Sequence, residues 1–343
     1  MDTLRVGVIG AGANTRLRHI PGFQEIEGVS VEVVCNRSES SSRSVAEAFG
    51  IERIAKTWQE VVEDPEIDAI CIGTWPYLHA PITIAALEAG KHVLTEARMA
   101  MNAAEAEEML AASKAHPDLV AQIVPSPFTL KWDKTIAKIL EAEELGTLRE
   151  VRFQKSLGLN VDANAALNWR QDKELSGNNT LMLGIYYEVV KRWLKADPKR
   201  LLANGSVFTK ERRVPNGSSK PIEIPETITT IAEYDSGLRL VGQMSGVELG
   251  ASTDEYVIAG SKGSLRMDLR VGKLFKTLLG SKEDVVNPLP EDMADWRVEA
   301  DFVESIRSGK PVTLTNFEDG LAYMRFTDAA IESLAKDSAW VEL

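Results

Sequence analysis

Short apolar runs alternating with amphipathic stretches of about ten residues fill the first third of the chain. Arg5–Ile9, Val31–Cys35, Ile67–Ile72 and His92–Thr95 are apolar with little polar alternation, as strands buried on both faces of a parallel sheet are. Between them Thr15–Glu25, Ser41–Phe49 (closed by Gly50), Trp58–Val62 and Pro81–Leu87 (closed by Gly90) read as helices. The alternation continues to about Val124 and predicts an α/β domain built on a doubly wound parallel sheet.

Beyond residue 145 the rhythm changes. Gly146–Lys155 begins a strand, and a helical pattern runs from about Asn178 to Leu194. Thr227–Tyr234, Leu238–Met244, Glu255–Ala259 and Ser264–Met267 then follow without helices between them, joined by turns such as Asp235-Ser-Gly237 and Gly260-Ser-Lys-Gly263. Consecutive strands of this kind predict an α+β domain with a large, mostly antiparallel, open-faced sheet. Arg297–Ile306 and Asn316–Leu334 read as closing amphipathic helices, with Thr315 or Asn316 as cap and Glu318 and Asp319 in the first turn. The expected division is residues 1–124 and 125–343. Val214–Pro221 is expected to be a mobile insertion.

Composition narrows the partners. At 343 residues with 44% hydrophobic and 26% charged residues, the chain is long enough for two cores and ordinary for a globular protein. A formal net charge of −12 argues against nucleic acid, whose phosphates it would repel. Cys35 and Cys71 each lie within or at the end of an apolar strand, so they read as buried free thiols, with neither a disulfide framework nor a metal site implied. No apolar run approaches the roughly 20 residues a membrane helix needs. Met1-Asp-Thr-Leu-Arg5 leads straight into the first strand, and a cytoplasmic protein is expected.

Candidate chemistry starts where the first strand ends, in Gly10-Ala-Gly12-Ala13-Asn14-Thr15. Gly10 suits a tight turn, and Gly12 leaves no Cβ between backbone and a pyrophosphate lying on the following helix N-terminus. Thr15 stands where a third glycine would serve close packing of helix on strand. A turn that only connects strand to helix is the lesser alternative. The second strand ends in Asn36-Arg37-Ser38, where a dinucleotide site meets the adenosine ribose. No carboxylate is there to accept from a 2'-hydroxyl. Arg37 and Ser38 suit a 2'-phosphate, so NADP is expected in preference to NAD. Loops beginning at Thr74 and Glu96 follow further strand ends and should flank the cofactor. Trp75 would stack near the nicotinamide or pack in the core, and His79 would cap or pack at a helix start beside the site.

These residues resemble the Gfo/Idh/MocA oxidoreductases. The resemblance runs through the glycine turn, Leu78-His79-Ala-Pro81, Ala86–Leu94, Glu96, Met99-Ala100, Leu145–Leu148, Trp169-Arg170, Ser176-Gly177, Gly260–Leu265 and Phe317–Leu321, nearly the whole chain. It implies an N-terminal Rossmann domain, a second α/β domain whose sheet carries a dimer or tetramer contact, and hydride transfer between nicotinamide and a hydroxyl or carbonyl carbon of a sugar or cyclitol. It also implies that Glu96 bonds near the nicotinamide ribose. Trp169 and Arg170 would reach the active crevice, with a surface ion pair as the equal alternative for Arg170, and Asn178 and Asn179, where the family often has glycines, would by default cap the helix bearing the tyrosines, with substrate contact as the other reading.

Departures from the family pattern fall at the proton-transfer end. Glu96-Ala97-Arg98 stands where the family has Glu-Lys-Pro, so its lysine is missing. The family's histidine and following aspartate become Tyr186 and Val189, and all four histidines (His19, His79, His92, His116) precede residue 125. Proton transfer would then fall to Tyr186 or Tyr187, provided that Lys173, Lys155 or Arg170 lowers a phenol pKa from its usual value of about 10. Otherwise the chain is a catalytically degenerate NAD(P)-binding sensor of the same fold.

Overall fold

A computed structural model describes residues 3–214, 217–250 and 253–343. It divides into two compact units, Met1–Pro125 with Arg297–Met324, and Ser126–Trp296 with Arg325–Leu343.

The first unit holds strands β1 (Leu4–Ile9), β2 (Val29–Cys35), β3 (Arg53–Ile54), β4 (Ala69–Ile72), β5 (His92–Thr95) and β6 (Ala121–Ile123). They form one parallel sheet in the order β3-β2-β1-β4-β5-β6. Its centre is dry: Val6, Val8, Ile70, Ile72, Val93 and Leu94 are fully buried, which explains why these strands do not alternate. Helices α1 (Ile20–Gln24), α2 (Glu39–Phe49), α3 (Trp58–Val62), α4 (His79–Glu88) and α5 (Ala103–Ala115) connect them. The stretch Thr15–His19 before α1 is wound as a π-helix.

The return of residues 297–324 to this unit departs from the expected boundary. Helix α9 (Val298–Ser308) sets Phe302 edge-on to Phe23 at 6.2 Å, and Arg307 Nη2 donates to Glu27 O at 2.7 Å. Ile123 N donates to Thr315 O at 3.1 Å, and the Tyr323 hydroxyl accepts from Met99 N at 2.6 Å. Such contacts span more than a hundred residues of sequence and leave no local signature. Helix α10 (Phe317–Ala335) contributes its residues to Met324 here and the rest to the second unit.

The second unit is built on nine strands in the order β16-β15-β14-β13-β7-β12-β11-β8-β17. These are β7 (Leu148–Ser156), β8 (Arg200–Ser206), β11 (Thr227–Glu233), β12 (Arg239–Ser245), β13 (Asp254–Gly260), β14 (Gly263–Asp268), β15 (Lys273–Leu278), β16 (Asp284–Val286) and β17 (Val341–Glu342). Every neighbouring pair is antiparallel except β7 with β12. Alternate residues such as Phe153, Leu240, Met244 and Tyr256 are buried, while Thr229, Ile231, Val241 and Val257 on the other face stay half-exposed. Helices α6 (Leu130–Glu141), α7 (Lys173–Ser176) and α8 (Leu183–Leu194) belong to this unit. Residues 178–182, expected within a helix, form the loop leading into α8.

Strands β9 (Glu211–Arg213) and β10 (Ser219–Pro221) pair antiparallel across the segment expected to be mobile; Pro215 and Asn216 lie outside the described residues. Arg212 beside it is fully buried against Glu226 at 3.2 Å and also donates to the carbonyls of Asn160, Asp162 and Ala165. That network fastens the loop leading to Trp169.

Candidate functional site

The end of β1 is held by main-chain bonds that leave its glycines little choice. Gly10 N donates to Cys35 O at 2.8 Å, and Gly10 sits at φ +85°, where a Cβ would run into Thr74 N at 2.6 Å. Ala11 N donates to Asn36 Oδ1 at 2.6 Å, so Asn36 braces the turn. Gly12 differs: a Cβ there would meet only Gly73 O, at 3.6 Å. Nothing in the fold requires a glycine at that position, which leaves close approach of a ligand as its reason. The first amide bonded back into the helix is Arg16 N, to Gly12 O, so the amides just before it face the end of the sheet. Thr15 is buried and donates to Gly10 O at 3.3 Å. The packing role of the missing third glycine passes to Gly73, whose Cβ would collide with Thr15 Oγ1 and Gly10 O.

A cleft of about 460 Å³ opens over this turn. Of the expected residues, Gly10, Gly12, Asn36, Arg37, Ser38, Thr74 and Trp75 line it. Ala13, Asn14, Thr15, His79, Glu96 and Ala97 do not. Sequence reading missed Ser41, Tyr77 and the segment Lys56–Gln59, the turn after β3 and the start of α3, which follows the end of β3 next to β2. A two-residue strand gives too little pattern for the end of β3 to be recognised as part of the sheet edge. At this end the Arg37 guanidinium lies 5.2 Å from the Trp75 ring, and Lys56 adds a second cation. None of the described residues lining the cleft is acidic. Asn36 Nδ2 donates to Ser41 Oγ at 3.0 Å, tying the turn to the N-terminus of α2.

Beyond the cleft, at the end of β5, Glu96 collects Asn14 and His19. Asn14 Nδ2 donates to Glu96 Oε1 at 2.5 Å; His19 Nε2 lies 3.0 Å from the same oxygen, while its Nδ1 lies 2.5 Å from Glu299 Oε1 on α9. Burial disfavours a charged ring, but the hydrogen bonds and charges of Glu299 and Glu96 outweigh it and push His19 up to about 9. Burial likewise works against ionised Glu96, and the hydrogen bond and charge of His19 overcome it, holding that carboxyl below its usual range. His19 and Glu299 are 280 residues apart, which hid the cluster from the sequence. His79 does not join it: its buried ring lies between the carbonyls of Arg98 at 2.8 Å and Thr74 at 3.0 Å, and burial lowers its pKa. It ties the two loops together, the packing role expected, without facing the cleft.

In the second unit the expected proton-transfer residues separate. Tyr187 stacks on Phe326 at 4.0 Å and donates to Asp197 Oδ1 at 2.8 Å. Tyr186 stacks on Tyr256 at 5.2 Å and donates to Asp254 Oδ1 at 2.5 Å. Burial and the facing carboxylate raise both phenols, the reverse of the activation expected. Lys173 is also corrected: it is half exposed and pairs with Glu223 at 3.3 Å. Trp169 and Arg170 stack on each other at 4.2 Å in a single 3-10 turn, and buried Asn179 donates to Ser176 O at 2.7 Å, a local bond. Among the described residues no group of three His, Cys, Asp or Glu side chains is placed to hold a metal, and no helix is long and apolar enough to cross a membrane.

Comparison with known proteins follows the two units. Residues 4–122 match the Gfo/Idh/MocA model described as an oxidoreductase family with an NAD-binding Rossmann fold, and residues 134–266 match the Gfo/Idh/MocA C-terminal domain. Levoglucosan dehydrogenase of Pseudarthrobacter phenanthrenivorans is 24% identical, covering 100% of this chain and 99% of that protein. Myo-inositol 2-dehydrogenase of Thermotoga maritima is 24% identical over 96% of each chain. Among solved structures, levoglucosan dehydrogenase in complex with NADH and L-sorbose superposes with a TM-score of 0.86 at 23% identity, covering 100% of this chain and 99% of that one.

Two outcomes check this geometry. Gly12→Ala should fold and melt like the parent, yet bind dinucleotide at least tenfold more weakly by fluorescence titration; equal affinity would place the ligand elsewhere. His19 is raised from about 6.5 unfolded to about 9 folded, so its contribution is complete below pH 6.5 and lost as pH rises through 9. The stability gap between parent and His19→Gln, from urea unfolding, should therefore shrink by about 3 kcal/mol between pH 6 and 9.5. A gap constant with pH would show the ring to be neutral.

Proposed function

The chain belongs to the Gfo/Idh/MocA oxidoreductase family, and on that premise we propose that it is an NADP-preferring dehydrogenase or reductase of a sugar, cyclitol or similar polyhydroxylated small molecule. When bound, the nicotinamide supplies the hydride chemistry. The chain's own residues bind and orient it: the glycine turn takes the pyrophosphate, and the ends of β2 and β3 take the adenosine half.

The observation that carries the cofactor choice is the acid-free end of the cleft, with Arg37, Lys56, Ser38 and Ser41 around it. A ribose 2'-phosphate brings about two negative charges and acceptor oxygens that a guanidinium can meet in pairs. A free 2'-hydroxyl finds no carboxylate there to accept its hydrogen bond. The N-terminus of α2, an 11-residue helix, adds a favourable dipole. Support for a polyol substrate comes from the names of the relatives, a levoglucosan dehydrogenase and a myo-inositol 2-dehydrogenase. The buried free thiols Cys35 and Cys71 suit a cytoplasmic protein, and the half-exposed face of the nine-stranded sheet suits a homodimer or homotetramer contact.

A second reading, a dinucleotide-binding sensor without turnover, is favoured by Ala97 in the lysine position and by phenols engaged with carboxylates. A panel of aldoses, ketoses, levoglucosan and myo-inositol with NADPH or NADP+ separates the two: turnover of any member supports the enzyme, and tight binding without turnover supports the sensor. Arg37→Ala should raise the NADPH Kd by tenfold or more and leave that of NADH within threefold, with Lys56→Ala giving a smaller change of the same kind. Equal parent affinities for NADH and NADPH, unmoved by Arg37→Ala, would contradict the NADP preference.

A further inference from the structure

The cleft over the glycine turn is crossed by a side-chain contact that the turn itself does not require. Strands β2 and β4 flank β1 on opposite sides, and Cys35, Ile9 and Ile72 stand level across the three. Arg37 follows the end of β2 and Trp75 the end of β4, so they leave from strands two ladder spacings apart, roughly 9 to 10 Å. Yet the Arg37 guanidinium lies 5.2 Å from the centre of the Trp75 ring. A side chain from β2 that meets one from β4 passes over the end of β1, where Gly10 and Gly12 turn.

The main chain beneath this bridge is fixed. Gly10 N donates to Cys35 O and Gly73 N to Ile9 O, each at 2.8 Å, and Asn36 braces Ala11. On the β4 side, Thr74 O lies 3.0 Å from His79 Nε2. What can move is the arginine, which is exposed and carries its guanidinium on a long side chain, whereas Trp75 is half-buried. Lys56, which follows β3, lines the same cleft from the other side of β2. The Arg37 guanidinium thus has an aromatic face towards β4 and a second cation towards β3. Two cations come together only with an anion between them, so the ring is the better neighbour until an anion is supplied.

We propose that the Arg37–Trp75 pair is a latch over the glycine turn, which must open before a dinucleotide can lay its pyrophosphate there. The inference rests on the dinucleotide-binding reading above and not on turnover. A dinucleotide crosses the sheet where the strand order reverses, here between β1 and β4, and the bridge spans that point. A guanidinium 5.2 Å from a ring centre is at the weak end of such attractions. It holds about two closed molecules for each open one, and since only the open form binds, affinity for any dinucleotide is lowered about threefold. Once open, Arg37 meets a 2'-phosphate with Lys56 on its far side, whereas a 2'-hydroxyl offers it no charge. The latch therefore lowers affinity for NADPH and NADH alike, and the opened Arg37 chooses between them.

Calorimetric titration of the full chain with NADPH and with NADH tests the latch. Trp75→Leu keeps an apolar side chain and removes the π face; it should tighten both Kd values about two- to threefold and leave their ratio as in the parent. Trp75→Phe, which retains a weaker face, should fall between the two. Arg37→Ala should also tighten NADH about two- to threefold, although a cation has been lost, while it weakens NADPH. Damage to the fold would loosen binding, so a gain in affinity reports the latch and not a structural defect. Unchanged or looser binding of both cofactors in Trp75→Leu would overturn the latch and make the ring a wall for the bound nucleotide. Unchanged or looser NADH binding in Arg37→Ala would overturn it as well, and decides the matter even if the tryptophan variant does not fold. A parent that binds neither cofactor would overturn the dinucleotide reading, and the latch with it.

Discussion

A phosphate can lie against main-chain N–H groups only where no Cβ stands between them, and the first unit is arranged around that exclusion. Gly10 is required by the fold itself, since its φ of +85° and the crowding of Thr74 leave no room for a side chain. Gly12 is not so required. Its open side is explained by what comes to it, and this difference between two neighbouring glycines is the clearest sign of a ligand in the structure. The surroundings then follow. Asn36 spends its side chain holding Ala11 and Ser41, so it braces the turn and leaves recognition to the cations beyond it. The strand order β3-β2-β1-β4 places the end of β3 beside that of β2, and so brings Lys56 to the same edge as Arg37.

The parallel strands, the glycine turn and Arg37 were legible because each depends on residues adjacent in sequence. Strand composition reports burial, and turn composition reports backbone conformation. What escaped depends on residues brought together from a distance. His19 meets Glu299 across 280 residues, and Lys56 reaches the cleft from a strand of two residues. Asp254 lies just before the strand expected from Glu255, and only the register of β13 against β7 shows that it faces Lys155. Tyr186 and Tyr187 could not be told apart by sequence, because successive helical residues point about 100° apart and only their packing partners decide what each does. One stacks on Tyr256 beside Asp254, the other on Phe326 beside Asp197.

The departures from the family pattern read differently once these contacts are known. Tyr186, expected to move a proton, has that proton held in place by burial and Asp254. What it does is fix a carboxylate that in turn fixes a lysine on the first strand of the large sheet. In the second unit a cation and a carboxylate are paired across β7 and β13. The His19 cluster is the corresponding device in the first unit, a buried cation holding Glu96 at the end of β5 with Asn14 from the turn. In both units a largely buried carboxylate is given one orientation by the partners around it.

The central claim, that this chain moves hydride between nicotinamide and a carbinol carbon, is tested most directly by following the hydrogen itself. Incubation with NADPH deuterated at nicotinamide C4 and a ketose such as L-sorbose, with mass spectrometry and NMR of the product, should show one deuterium on the new carbinol carbon and none in recovered oxidised cofactor when the labelled face is the one used. Tight binding of the deuterated cofactor with the label retained on it, whichever C4 face carries the deuterium and across ketose, aldose and cyclitol-ketone probes, would contradict the account and leave a dinucleotide-binding protein without catalysis.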